Sequence, residues 1–410
     1  MRPRLRIRRE RFGFTLADAV TGKVGFYGDD VAAALLEGAR YEDLAEHQLD
    51  AVPLEPNFRL VAPLIVWFEI TRACNLPCRH CYISAGPRRE GELSKDEILD
   101  VLQQLRAAGV FALVLVGGEP MSHPHFVEIL HAAHDLGFVI SIATNGTYIT
   151  QEMIDRLPRE ECVVSVSLDG TSFQKRLRLT STYEDIRSRL ELLADNDIKT
   201  AVMTTVTQYN LEELEEIFEF TQEKGLVFGL APFSPLGRGR RHPDLLPDPS
   251  VATRASRLYA RNAEDRQKWY PKLGLCVTSF LNFSYQLAHA MRREFCAASL
   301  AYITSNGKVY PCSVCASAEK FVGGDLREQP FQEIWDGEFG GIRTIGFDSF
   351  KGCKTCDLAA PEAACAGRCP VMSEVYTGDP LQCGASPYLR EANRQNRARK
   401  AATVGRSEGE

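Results

Sequence analysis

Three cysteines stand close together in the segment TRACNLPCRHCY: Cys74, Cys78 and Cys81, spaced C-x3-C-x2-C. Thiols at this spacing are metal ligands by type, and the question is which metal takes three of them. A structural zinc site asks for four ligands. His80 could be the fourth, but squeezed between Arg79 and Cys81 it makes a tetrahedral site awkward. A cubane iron–sulfur cluster held by three thiolates leaves one iron open, and an open iron can chelate a small molecule. A second set follows: Cys296, Cys312, Cys353, Cys356, Cys365, Cys369 and Cys383, with C-x2-C-x8-C-x3-C from 353 to 369. These spacings suit zinc as well as iron–sulfur clusters. Cys162 opens an apolar run and reads as a packed thiol.

The elements that must position these thiols are legible as alternating runs. From about Leu64, apolar strand-like segments alternate with helical ones: LIVWFEI, FALVLVGG, FVISIATNG, CVVSVSLDG, KTAVMTTVT and VFGLAPF are separated by helix-period stretches. Six strands in strict βα alternation predict an α/β fold, a partial (β/α)6 TIM-like barrel. The strands read as apolar on both faces, as buried parallel strands do. In such folds chemistry sits at the carboxyl ends of the strands. The motifs fall there: the cysteine loop, then Gly117–Pro120, Thr144–Gly146, Ser167–Gly170 and Pro235–Gly239.

Four regions follow: a small N-terminal α+β module at 1–60, the barrel at 61–275, a cysteine-rich domain at 276–387 and a basic tail at 388–410. In the first, RLRIRRE and GFTLADAVTGKVGFY read as strands with Thr21-Gly22 as a turn, then short helices in DDVAAALLEGA and YEDLAEHQ. The cysteine-rich stretch shows little periodicity, and metal clusters could substitute for a core there. The net charge of −6 gives no general reason to expect nucleic acid or membrane binding. No segment reaches membrane-spanning length, and residues 1–20 lack the apolar core of a signal peptide. The expected location is therefore cytoplasmic, where thirteen cysteines point to metal ligation rather than disulfides.

With the fold pattern around it, C-x3-C-x2-C after the first strand resembles the signature of the radical S-adenosylmethionine (SAM) superfamily. The resemblance implies a [4Fe-4S] cluster on Cys74, Cys78 and Cys81. Its open iron would take the amino and carboxylate groups of SAM, and a reducing electron would yield a 5′-deoxyadenosyl radical. His80, before the third cysteine, would pack beside the cluster and adenine. Gly117, Gly118 and Glu119 resemble the motif that binds the SAM amino group. Asn145, Ser167 and Asp169 resemble contacts to ribose and methionine, and Arg178, or else Arg176, would meet the carboxylate. The later cysteines resemble the SPASM extension, with a third gap of eight residues where five is usual. The resemblance implies two auxiliary clusters, one on Cys353, Cys356, Cys365 and Cys383. The other would take Cys296, Cys312 and Cys369, with Cys276 as a fourth ligand, Cys315 in its place, or an open position.

Auxiliary clusters suit net oxidation. The N-terminal segment resembles the peptide-recognition module of ribosomal peptide maturases, where a leader peptide adds a strand to an exposed sheet edge. Arginines alternating with Leu5 and Ile7 suit an acidic leader; the competing reading is a plain hairpin capping the barrel. The leading expectation is oxidative modification, through a cross-link, of a ribosomally made precursor peptide, with flavodoxin or ferredoxin as electron donor. A haem-biosynthesis-type decarboxylase is the alternative. A sulfatase-maturing enzyme is disfavoured because Ser313 stands where those relatives carry an aspartate. A zinc-binding adaptor is the non-enzymatic reading.

Overall fold

The computed structural model describes residues 5–29, 31, 58–248, 273–291, 296–353, 356 and 369–383, with scattered positions between 250 and 261. The expected helices after Asp30, Cys365 and the basic tail lie outside the described residues.

All six expected strands form: β4 (Ile65–Thr71), β5 (Ala112–Gly117), β6 (Val139–Thr144), β7 (Cys162–Ser167), β8 (Thr200–Val206) and β9 (Val227–Pro232). They pair in parallel in chain order. Helices α1 (Lys95–Ala108), α2 (Phe126–Asp135), α3 (Gln151–Asp155), α4 (Phe173–Arg178), α5 (Tyr183–Asp195) and α6 (Leu211–Glu223) fill the connections. α1 shows why local sequence suffices here. Ser94 caps it and Glu97 closes a capping box, while Ile98, Val101, Leu102 and Leu105 recur at helical spacing and are buried.

One face of the sheet, through Phe68, Leu113, Ile140 and Val164, packs on the helices. The other face differs from the expected doubly apolar strands. Ser165 and Ser167 on β7, and Ala201, Met203 and Thr205 on β8, alternate as half-buried positions. A partly open barrel explains this, because its concave side is not filled by core side chains and small polar residues leave room there.

The C-terminal cysteine region continues this sheet. β10 (Leu300–Ile303), β11 (Lys308–Tyr310) and β12 (Gly324–Asp325) extend it beyond β4 in the order β12-β11-β10-β4-β5-β6-β7-β8-β9. β10 pairs in parallel with β4. α7 (Val277–Ala290) places Phe280, Phe283 and Leu287 against Phe111, Ala112 and Val139. α8 (Phe331–Asp336) buries Phe331, Ile334 and Trp335, each contributing about 1.5–3 kcal/mol on burial. This region therefore does bury a core, by sharing the barrel's.

Glu69 locks that junction. It is fully buried on β4 and accepts hydrogen bonds from the Tyr302 hydroxyl (2.7 Å), the Ser305 hydroxyl (2.8 Å) and the Ser305 amide (3.2 Å). Glu69→Ala leaves these donors unpaired and should cost about 1–3 kcal/mol for each group left unsatisfied. Glu69→Gln should cost much less, since the Tyr302 hydroxyl can turn to accept. Denaturant midpoints check this, and equal midpoints for wild type and Glu69→Ala would remove the lock.

The N-terminal strands β1 (Leu5–Glu10), β2 (Gly13–Asp18) and β3 (Val24–Tyr27) form a separate antiparallel sheet, with the expected turn at Thr21-Gly22. Here the arginine reading is corrected. Arg6 and Arg8 face the barrel, not a ligand. Arg6 bonds Glu161 and the Gly137 carbonyl. Arg8 is buried beside Glu10 and donates to the carbonyls of Pro63 (3.0 Å) and Gly109 (3.1 Å). Gly109 ends α1 and Gly137 follows α2, so these arginines meet carbonyls that helix ends leave exposed. The outward residues of β1 are Ile7, exposed, and Arg9, which pairs with Asp29.

Candidate active site

The loop after β4 is held from several sides. Gly118 donates to the Thr71 carbonyl (2.9 Å) and Glu119 to the Ala73 carbonyl (2.8 Å). A Cβ on Gly117 would lie 2.3 Å from the Thr71 carbonyl oxygen, and one on Gly118 2.3 Å from that of Ala73. The two glycines are thus required by the close approach of the cysteine loop. On the opposite side Gly237, at φ +52°, presses on Cys81 and Tyr82. Arg238 donates through Nε to the Cys78 carbonyl (2.9 Å), through Nη1 to the Ala85 carbonyl, and from its amide to the Cys81 carbonyl (2.9 Å). Glu92 accepts from the Thr71 hydroxyl (2.8 Å) and the Arg72 amide (2.9 Å). Sequence reasoning missed Arg238 and Glu92. Arg238 lay within the PLGRG segment already singled out; Glu92 gave no signal.

Each of the three thiols faces a donor. Leu76 N–H points at Cys74 Sγ (3.4 Å) and Ala85 N–H at Cys81 Sγ (3.3 Å). Asn145 Nδ2 lies 3.9 Å from Cys74 Sγ, and Arg178 Nη1 4.0 Å from Cys78 Sγ. Burial pushes the Cys78 thiol up to about 11, against the pull of Arg178, and raises Cys74 as well. Thiols so buried ionise when a cation binds them. Thiolate ligands with N–H donors turned toward the sulfurs are the chemistry an iron–sulfur cluster asks of its site, so the residues fit one.

The other expected site residues gather around this loop. Asp169, fully buried at the end of β7, accepts from Arg178 Nε (2.7 Å) and the Thr205 amide (2.7 Å). Burial works to raise its carboxyl, but Arg178 and His80 beside it hold it below the usual range. Asp169 therefore positions Arg178. Arg176, its competitor, is exposed over the Phe173 ring. His80 Nε2 stands 3.6 Å from Asp169, and burial lowers the ring to about 4, so it is neutral. Glu119 is fully buried and accepts from the Asn145 amide (2.7 Å), the Thr144 hydroxyl (2.8 Å) and the Met121 amide (3.1 Å). Burial nevertheless raises its carboxyl to about 7. Asn145 also reaches Asn75 (2.9 Å), bracing the loop. Ser167 is half-buried on the concave face.

Of the later cysteines, the sulfurs of Cys296, Cys312 and Cys315 lie within 4.8 Å of one another, all buried. Cys369 precedes α9 (Pro370–Thr377) and packs partly against the same core. Cys276 is not brought to this group; it packs with Val163, Val227 and Leu273. Cys162 is buried in the core, as a packed thiol should be. Between the Arg238 segment and the turn bearing Cys315 lies a cavity of about 610 Å³, lined by Pro235, Arg240, Leu246, Ser317, Glu374 and Tyr376 among others.

A parallel βα sheet with three thiols on its first loop and a second thiol group on its extension defines a class: enzymes that run radical chemistry from an iron–sulfur cluster. Comparison with known proteins places the chain within it. Residues 68–221 match the radical SAM superfamily, and residues 295–357 match SPASM, an iron–sulfur cluster-binding domain. The chain is 30% identical over 349 residues to mycofactocin maturase MftC of Mycolicibacterium smegmatis, covering 81% of this chain and 84% of that one. It is 28% identical over 348 residues to the AdoMet-dependent heme synthase of Methanosarcina barkeri, covering 80% and 96% respectively. Among solved structures, Streptococcus suis SuiB bound to S-adenosylmethionine superposes with a TM-score of 0.71 at 16% identity, over 94% of this chain and 99% of that one. SuiB bound to its precursor peptide SuiA superposes equally well at 17% identity. The chain belongs to the radical SAM superfamily and carries a SPASM domain. It is an enzyme that uses SAM with a [4Fe-4S] cluster, supplemented by auxiliary iron–sulfur ligation. No helix among the described residues is long and apolar enough to cross a membrane.

Proposed function

We propose that this enzyme oxidatively modifies a ribosomally synthesised precursor peptide, removing hydrogen to form a cross-link. The observation that carries the reading is the 30% identity to mycofactocin maturase MftC across four-fifths of the chain. When bound, the cluster and SAM supply a 5′-deoxyadenosyl radical. The chain's own residues do the rest. Arg178, oriented by Asp169, meets the SAM carboxylate, and Glu119 accepts from the N–H of its amino group. His80, Ser167 and Asn145 line the site, and the cavity between Arg240 and Glu374 receives the reacting segment of the peptide. β1 lies at the edge of its sheet among the described residues, which supports strand addition by a leader, although with Arg6 and Arg8 bound to the barrel it gives no preference for an acidic one. The protein works in the cytoplasm with a flavodoxin or ferredoxin as electron donor.

A small-molecule substrate of the haem-biosynthesis type is the second reading, favoured by the 96% coverage of the heme synthase. One experiment separates them. Cluster-loaded enzyme, SAM and dithionite are incubated anaerobically with candidate precursor peptides or with tetrapyrroles. A peptide product lighter by two hydrogens supports the first reading. Loss of carbon dioxide from a tetrapyrrole, with peptides untouched, would overturn it.

Glu119 adds a pH signature. Burial raises its carboxyl to about 7, and an N–H of the SAM amino group donating to it favours the ionised form. SAM binding then expels a proton, so affinity should rise as pH increases toward 7 and level off above. Calorimetry in two buffers of different ionisation enthalpy reads the proton directly. Glu119→Gln should lose the part of this rise that Glu119 contributes; an unchanged pH profile in that variant would place the SAM amino group elsewhere.

A further inference from the structure

We propose that Cys315 is the fourth thiolate of the auxiliary cluster held by Cys296, Cys312 and Cys369, so that every iron in this cluster is ligated by the protein. The inference rests on the SPASM reading and goes beyond it. The antiparallel pairing of β10 with β11 brings the segment before β10, with Cys296, alongside the segment after β11, with Cys312. A short 3-10 turn, Cys315–Ser317, then folds back, with the Ala316 amide donating to the Cys312 carbonyl (3.2 Å) and the Ala318 amide to the Cys315 carbonyl (2.9 Å). The result is three buried sulfurs within 4.8 Å of one another, with Cys315 fully inaccessible to solvent. Cys369, just before α9, packs against the same core that holds these three. The donor set is sulfur alone, which selects zinc or iron–sulfur clusters over hard cations.

Cys276 has a different environment. Its thiol lies 3.8 Å from the Ser279 hydroxyl and packs on Val163 and Val227, which stand at the amino ends of β7 and β9. Along the sheet β7 is four strands from β10. The Cys276 thiol is thus a packed side chain among apolar neighbours.

The consequence is functional. A cluster with no open iron cannot ligate substrate, so its part in the reaction is to accept or pass an electron. The substrate must then be held by the protein itself and not by this cluster, which suits the cavity beside Ser317.

The test uses the full chain carrying Cys74→Ala, Cys78→Ala and Cys81→Ala, so that only auxiliary sites load. After anaerobic reconstitution, iron and sulfide are counted and reduced samples are examined by EPR with and without added imidazole. The parent should show no response to imidazole. Adding Cys315→Ala should open an iron, giving a signal that shifts on imidazole addition, or should lower iron and sulfide together; Cys315→Ser serves where alanine impairs folding. Cys276→Ala should match the parent in all respects. If Cys276→Ala changes the spectrum while Cys315→Ala does not, or if the parent itself responds to imidazole, the assignment is overturned and the SPASM reading stands. Zinc bound with no sulfide in the parent would instead sink the cluster reading, and this inference with it.

Discussion

Cys78→Ala is expected to reduce formation of 5′-deoxyadenosine from SAM to background, while auxiliary iron remains bound. Cys78 is the most enclosed of the three thiols on the loop, and its sulfur faces Arg178 Nη1 at 4.0 Å. Without it only two thiolates remain, too few to hold a cubane with one iron open. The loop itself should survive, because Glu92, Arg238 and the Gly117–Gly118 contacts grip its backbone rather than the Cys78 side chain. Iron on the Cys296–Cys312–Cys315 group should be unaffected, since those ligands come from a different part of the sheet. Arg178→Lys makes an informative companion. It keeps the charge but loses the planar fork that joins Asp169 Oδ2 to the sulfur side, so it should raise the SAM concentration needed for half-maximal rate while leaving cluster content intact. Anaerobic chromatography of 5′-deoxyadenosine, with iron counted on the same samples, decides. Cleavage at the wild-type rate in Cys78→Ala would remove this loop from the chemistry.

What the sequence discloses depends on whether a residue's partner is near it in the chain. The six strands are readable because each is a self-contained apolar run bounded by glycine or a charged helix start. The three thiols are readable because their spacing is itself the signal. Arg178 and Arg176 are two residues apart on a six-residue helix and so point to different sides; both satisfy the motif, and only packing shows that Arg178 turns inward to Asp169. The segment of Arg238 was readable but its grip on the cysteine loop was not, because its side-chain acceptors are backbone carbonyls 160 and 153 positions away. Cys276 and Cys315 are equivalent by composition. The hairpin of β10 and β11 separates them, and it was hidden in a stretch where short strands left no periodicity. The alternation on β1 correctly divides the strand into two faces, but alternation carries no sign for which face turns in. Here the charged face turns in because helix ends leave carbonyls waiting there.

That inversion on β1 yields the second large effect. The Arg8 guanidinium lies 2.6 Å from Glu10, with side chains 6% and 0% exposed. It stacks over Phe111 with 5.0 Å to the ring centroid. Glu10 also accepts from the Thr15 hydroxyl (2.7 Å) and the Val61 amide (2.9 Å). Burial pulls the Arg8 guanidinium below its ordinary value, with Glu10 opposing; it remains a cation across the physiological range. Glu10→Ala therefore strands a buried charge and leaves two donors unpaired, and should destabilise the protein by about 3–5 kcal/mol. Arg8→Met with Glu10→Leu should recover most of that loss, because an apolar pair of similar volume removes the desolvation cost on both sides. Urea midpoints under anaerobic conditions measure both. SAM cleavage per folded molecule should be unchanged in either variant, since the pair sits beside Gly109 and Pro63, at the amino ends of the strands and away from the cysteine loop. If Glu10→Ala instead keeps its midpoint and loses affinity for a precursor peptide, β1 is a recognition strand and not a clamp.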